Sequence, residues 1–202
     1  GDLNGVTKTG PSNRRSTFLL KYNSSGTLQW TKEVAGTTSG DFAKGILMDT
    51  SDNIYISGST QGSLDSNTST GGYDIFLIKL YDNGTKQWTQ QFGSSADEWV
   101  DGIAIDSSSN IYITGNSNGS LDGISNSGAN DIFLIKYNSS GSKQWTKMLG
   151  TSSEEVAKDV AVDSSNNIYI TGYTEGNLDG NTSSGNKDIF ASKFNSSGTK
   201  VW

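Results

Sequence analysis

Short apolar runs, separated by stretches of Gly, Ser, Thr and Asn, fill this chain from end to end. Ile103-Ala104-Ile105, Ile111-Tyr112-Ile113 and Ile132-Phe133-Leu134-Ile135 are such runs, and their β-branched and aromatic residues predict strands. Around them we place a first strand over Trp99 to Asp106, a second over Asn110 to Gly115, a third over Asp131 to Tyr137 and a fourth over Lys143 to Leu149. The third is almost wholly apolar, as expected of a strand covered on both faces. The fourth alternates and reads as more exposed. A Ser-Ser-Ser-Asn turn joins the first two, and Asn138-Ser139-Ser140-Gly141 makes a tight hairpin, with Gly free to take positive φ.

The same four segments recur. Trp30, Trp88, Trp145 and Trp202 lie 58, 57 and 57 residues apart. Ile54-Tyr55-Ile56-Ser57-Gly58 returns at Ile111 and at Ile168, Asp74-Ile75-Phe76 at Asp131 and Asp188, and Gly62-Ser63-Leu64-Asp65 at Gly119 and Gly176. Gly1-Asp2-Leu3-Asn4 is a looser first copy. A repeat of four antiparallel strands with this period predicts an all-β fold, a β-propeller, because one blade cannot bury both its faces and must stack on neighbours. A right-handed β-helix is the structural alternative, but its coils are usually shorter. The copies divide the chain into residues 1–36, holding two outer strands of a first blade, then blades at 37–93, 94–150 and 151–202, about 3.5 blades of one propeller domain.

Composition removes several function classes. There is no Cys and no His, so disulfides, thiolate chemistry, a His general base and the commonest transition-metal ligand are absent. A net charge of −6 argues against a nucleic-acid partner, since Arg14-Arg15 is the only basic pair. No apolar run approaches the ~18 residues of a membrane span. The chain starts within a loop and lacks a start Met, so a mature, trimmed or partial chain is expected.

The pattern Asp163-Ser-Ser-Asn-Asn-Ile-Tyr-Ile-Thr-Gly172, then Gly176-Asn-Leu-Asp-Gly180, Asp188-Ile-Phe190, Lys193 and Trp202, resembles the SBBP repeat, the seven-bladed beta-propeller repeat. The resemblance covers almost the whole chain. It implies prokaryotic proteins that are mostly secreted or surface-attached, and it carries over no catalytic residues. The first copy departs most, with an insertion over Val6 to Ser16 and Thr17 in place of the usual Asp. With strands lettered A to D from the axis outward, the chain offers a C–D pair and three A–D sets, fourteen strands in all. Seven blades need about twice as many, so the ring is partial or multi-chain. Continuation in a longer chain is favoured over self-association through open blade edges.

Candidate chemistry is sparse. Asp49, Asp106 and Asp163 end strand A in each copy, and their repetition favours a turn-holding role. In the B–C loops, Asp122 with Asp131 and Asp179 with Asp188 could wrap calcium with carboxylate oxygens, although the spacing is not that of an EF-hand. No other cofactor is expected. Asp41, Asp97-Glu98 and Glu154-Glu155 cluster in the D–A loops, where a carboxylate pair could serve glycoside hydrolysis, but no pair is distinctive. Equivalent positions vary between copies at Phe42, Trp99 and Val156, and at Lys44, Asp101 and Lys158. Trp99, Asp97, Glu98 and Asp101 are therefore the candidate ligand-binding residues, against a reading of Trp99 as inter-blade packing. Seven Asn-x-Ser/Thr sequons read as accidents of composition. Together these features predict a non-enzymatic, extracellular or cell-surface prokaryotic binding or scaffold segment with a protein or glycan partner. The alternatives are a self-associating surface or filament component, and a hydrolase using the acidic loops.

Overall fold

The structure, a computed structural model, describes residues 2–9, 11 and 13–202. Gly1 of the loose first copy, and Gly10 and Ser12 of the insertion, lie outside the described residues. The first sheet pairs β1 (Thr17–Tyr22) with β2 (Leu28–Ala35). The second runs β3 (Asp41–Met48), β4 (Ile54–Thr60), β5 (Asp74–Leu80), β6 (Lys86–Phe92). The third runs β7 (Glu98–Ile105), β8 (Ile111–Ser117), β9 (Asp131–Tyr137), β10 (Lys143–Leu149), and the last runs β11 (Glu155–Val162), β12 (Ile168–Thr174), β13 (Asp188–Phe194). Every pairing between these strands is antiparallel. This is a partial β-propeller of about 3.5 blades.

Two details differ from the expectation. The fourteenth strand is present only in outline: beside β13, Phe194 bridges Lys200, and Lys193 exchanges backbone hydrogen bonds with Val201 and Trp202. Ser16, not Thr17, stands where the other copies carry the strand-C Asp. Lys21 pairs with Trp30 as Lys79 pairs with Trp88, and counting back from that pair brings Ser16 opposite Asp74 in the repeat.

The core lies between blades rather than within one. Tyr55, Ile75 and Leu77 of the second blade meet Val100, Ile113 and Ile135 of the third. Tyr112, Ile132 and Leu134 of the third meet Val160, Ile168 and Ile170 of the fourth. Each blade thus presents one apolar face to its successor and the other to its predecessor. At the outer hairpins, Asn138 Oδ1 accepts from the amides of Ser140 and Ser142 at 3.1 and 2.9 Å, while Gly141 turns the chain at φ 83°. Asn23 and Asn195 do the same in their copies.

The inner A–B turns are held by the repeated aspartates. Asp106 Oδ1 accepts from the amides of Ser108 and Asn110, both at 2.9 Å, and Oδ2 accepts from Asn110 Nδ2 at 2.8 Å and the Tyr112 hydroxyl at 3.0 Å. Asp49 and Asp163 repeat the arrangement. Burial raises the Asp106 pKa, but the donors from Asn110, Ser108 and Tyr112 outweigh it and hold the carboxyl below its ordinary value. For Asp163 the Asn167 side chain is the main cause, and its pKa falls to about 2. A carboxyl depressed in the folded state contributes stability that is present above its unfolded value and lost as pH falls through the folded one. Burial acts the other way on Glu98 and Asp131, whose pKa values are raised. Those two favour the fold more as pH falls. The depressed set, which also includes Asp49, Asp65 and Asp188, is larger. The melting temperature is expected to hold between about pH 7 and 5 and to drop between about pH 4 and 2. Asp106→Asn should lower the melt at pH 7 and shrink the acid drop, and circular dichroism melts across pH check both.

Candidate functional site

The starts of strands A and C and the end of strand B meet at one rim of each blade, and there the three copies differ most. Strand A carries a β-bulge in every full blade. Register shifts fall between Ala43 and Gly45, Val100 and Gly102, and Ala157 and Asp159, so the extra residues are Lys44, Asp101 and Lys158. A bulge re-aims its extra side chain. Here it brings the three into one row across neighbouring blades: Lys44 Nζ lies 3.4 Å and Lys158 Nζ 3.7 Å from opposite oxygens of Asp101. Asp101 is mostly covered and its two lysines are exposed.

Two residues earlier on β7, Trp99 packs against Tyr73 of the preceding blade, with ring centroids 4.0 Å apart, and edge-on against Phe42 at 5.9 Å. Phe42 and Tyr73 meet at 5.5 Å, and the Arg15 guanidinium lies 4.7 Å from the Phe42 ring centroid. Trp99 therefore packs between blades and stays partly exposed at the same time. One blade on, the aromatic is Tyr173, with Lys187 Nζ 4.0 Å from its ring centroid and Lys158 Nζ at 5.8 Å. Glu154 and Glu175 lie 3.6 and 3.5 Å from Lys187. The rim is thus a band of aromatic rings and balanced charges that changes from blade to blade.

Of the four candidate binding residues, Trp99 and Asp101 belong to this band. Asp97 is partly buried and accepts from the Tyr73 amide at 2.9 Å, so it positions Tyr73. Glu98 does not reach the rim. It is fully buried, and its oxygens accept from the Ser94 amide at 2.8 Å, the Ser94 hydroxyl at 2.6 Å and the Ser117 hydroxyl at 2.8 Å. Asp41 and Glu155 do the same work in their copies, tying strand A to the end of strand B. Asp97 and Glu98 thus turn to different partners, and do not form a carboxylate pair facing a common substrate.

The calcium candidates are also drawn apart. Asp122 turns outward to Lys143 Nζ at 2.6 Å and to the Thr146 hydroxyl, and Asp179 pairs with Lys200. Asp131 and Asp188 turn back on their own loops, accepting from the Ser127 and Ser184 amides, each at 2.7 Å. The physical reason is a lysine at the outer side of each blade, Lys143 on β10 and Lys200 beyond β13, which holds the outer carboxylate in an ion pair. Among the described residues no three acidic side chains come together where a metal could sit.

Sequence reasoning singled out Phe42, Trp99 and the bulge residues because they break the repeat. It missed Tyr73, Tyr173, Lys187 and Arg15. The signal was available for three of them, since the residue before the strand-C Asp changes from Tyr73 to Asn130 to Lys187, and the one after the strand-B Gly from Ser59 to Asn116 to Tyr173.

The Beta-propeller repeat family SBBP matches at residues 29–65, 87–122 and 144–179, just over half of the chain. The chain belongs to the SBBP beta-propeller repeat family. Each match to the SBBP repeat runs from the second residue of a D strand, Gln29, Gln87 or Gln144, to the Leu-Asp of the next B–C loop. The chain is 29% identical over 163 residues to a protein of Acanthamoeba polyphaga mimivirus named "Uncharacterized WD repeat-containing protein L264", covering 67% of this chain and 12% of that protein. It is 26% identical over 184 residues to the "Regulatory protein FlaEY" of Caulobacter vibrioides, covering 81% of this chain and 18% of that protein. The chain thus spans less than a fifth of either relative. Among the described residues no helix is long and apolar enough to cross a membrane.

Proposed function

We propose that these SBBP repeats form a non-catalytic binding segment of an extracellular or cell-surface prokaryotic protein, which presents its blade rim to a protein or glycan partner. The observation that carries this reading is where the copies differ. The turn aspartates, the buried Asp41/Glu98/Glu155 position and the B-strand glycines repeat because they build blades. The band of Phe42, Tyr73, Trp99, Asp101, Tyr173 and Lys187 does not repeat, and partly exposed aromatic rings beside ion pairs suit both sugar stacking and protein anchoring. The acidic loops offer no second distinctive constellation for hydrolysis. The prokaryotic surface location is what the repeat family implies.

A glycan array and a broad glycosidase screen on one sample test this. Binding without turnover is expected, with Trp99→Ala weakening it roughly thirtyfold, as for a central aromatic anchor. Turnover abolished by Asp97→Asn would instead make the segment a hydrolase.

A further inference from the structure

One residue in from the rim, the cross-strand pair on strands A and B changes in every full blade: Phe42 with Ser59, Trp99 with Asn116, Val156 with Tyr173. In the second blade the Ser59 hydroxyl is taken up by the next blade, accepting from the Val100 amide at 3.0 Å. In the fourth, the Tyr173 ring already has Lys187 and Lys158 against it. The third blade leaves its pair free. Trp99 is partly exposed, and Asn116 opposite it, although only 8% exposed, makes no side-chain hydrogen bond among the described residues. Its amide is not sealed in, as the partnerless Ser57 Oγ and Asp131 Oδ1 are. Directly opposed residues share a face of the sheet, so the amide lies beside the indole. Described blades pack on both sides of this one, so the opening does not come from a missing neighbour.

A nearly buried amide without a partner is costly, and it offers a donor and an acceptor together. Two residues along β7, the Asp101 carboxylate can accept as well. Lys44 and Lys158 lie 3.4 and 3.7 Å from its oxygens, longer than a close hydrogen bond, and lone pairs remain. No open apolar side chain borders the ring, since Val100 and Val156 are 0 and 4% exposed. A protein interface surrounds its anchors with a dehydrated apolar centre, and this ring has polar neighbours instead. The charges alternate. Asp101 stands between two lysines, and Lys187 between Glu154 and Glu175, so no field of one sign draws a polyanion or a polycation.

We infer that the rim of the third blade is a subsite for one neutral pyranose unit of a glycan chain. The apolar face of the sugar lies on Trp99, and its hydroxyls bond the Asn116 amide and the Asp101 carboxylate. A hydroxyl both donates and accepts, so it satisfies these groups without bringing charge into the band. The inference rests on the reading of the rim as a partner-binding surface, and narrows that partner to an uncharged glycan.

Affinity electrophoresis of the 202-residue chain tests it, in native gels holding hydroxyethyl cellulose, xyloglucan, galactomannan or laminarin, with polygalacturonate and alginate as acidic counterparts. Retardation by at least one neutral polysaccharide is expected. Asn116→Ala should weaken it about fivefold and leave the melting temperature nearly unchanged, because the amide supports no contact of the fold. Asp101→Asn should weaken it about threefold, whereas an anion held by Lys44 and Lys158 would bind more tightly without that carboxylate. Both variants keep the packing of Trp99. Retardation by the acidic polysaccharides alone, equal retardation of wild type and Asn116→Ala, or none in any neutral gel would each overturn the subsite. A protein partner bound through Trp99 in place of these glycans would sink the subsite and leave the binding segment standing. Turnover of the retarding polysaccharide would do the reverse, ending the non-catalytic reading while the subsite holds.

Discussion

Gly115→Val is expected to lower the stability of the chain by about 3 kcal/mol or more, the upper end of what overpacking costs. A Cβ at Gly115 would fall 1.9 Å from the Trp99 carbonyl oxygen and 2.8 Å from the Phe133 ring. The first obstacle is backbone, and it cannot step aside. Trp99 lies just before the bulge, where Val100 pairs with Gly115 and Gly102 with Thr114, so the inner strand presses onto β8 at this point. The close approach is a product of the bulge that aims Asp101 at Lys44 and Lys158. Gly58 and Gly172 meet Phe42 and Val156 in the same way, each at 2.0 Å. For a domain of this size the loss should lower the melting temperature by roughly 6–12 °C. Gly185→Ala is the control, since nothing lies within 4 Å of its Cβ position, and it should cost almost nothing. A Gly115→Val protein that melts with the wild type would show that the strands can separate without penalty.

Blade architecture was legible because it is written in repeated, local signals. Strand and turn positions came from Ile-Tyr-Ile runs and Asn-Ser-Ser-Gly turns, and the holding role of Asp106 from its place before the turn. The site was less legible, because its contacts join positions about 57 residues apart in different blades. Lys44, Asp101 and Lys158 were visible as a varying column, but not as ion-pair partners, since adjacency of blades, not of sequence, brings them together. Glu98 looked like a surface acid next to Asp97. Asp97 lies just before β7 and turns to the Tyr73 amide, and burial of Glu98 against Ser94 and Ser117 cannot be read from composition. The ion pairs of Asp122 and Asp179 were not legible in their loops, because Lys143 and Lys200 lie a strand away.

Ile132→Ala and Ile189→Ala change the same residue of the repeat, yet their effects should differ by about 3 kcal/mol. Ile132 is fully buried, packed with Tyr112, Val160 and Ile170 between the third and fourth blades. Truncating a side chain there removes its transfer energy and leaves a cavity, a cost of about 2–5 kcal/mol. Ile75, one blade earlier, is 1% exposed and should behave alike. Ile189 occupies the same place on a face that no described blade covers, and at 89% exposure it has little burial to lose within residues 1–202. Its substitution should change stability by less than about 0.5 kcal/mol. The exposed side chain should act on association instead: Ile189→Asp puts a charge on an open apolar sheet face and should suppress any self-association seen by light scattering. Denaturant unfolding of the three alanine variants separates the cases. A cost at Ile189 equal to that at Ile132 would mean that its face is covered in solution, and the loss of that cost on dilution would identify a second copy as the cover. The contrast uses the repeat as its own control, because chemistry, backbone and strand are held constant and only the neighbour differs.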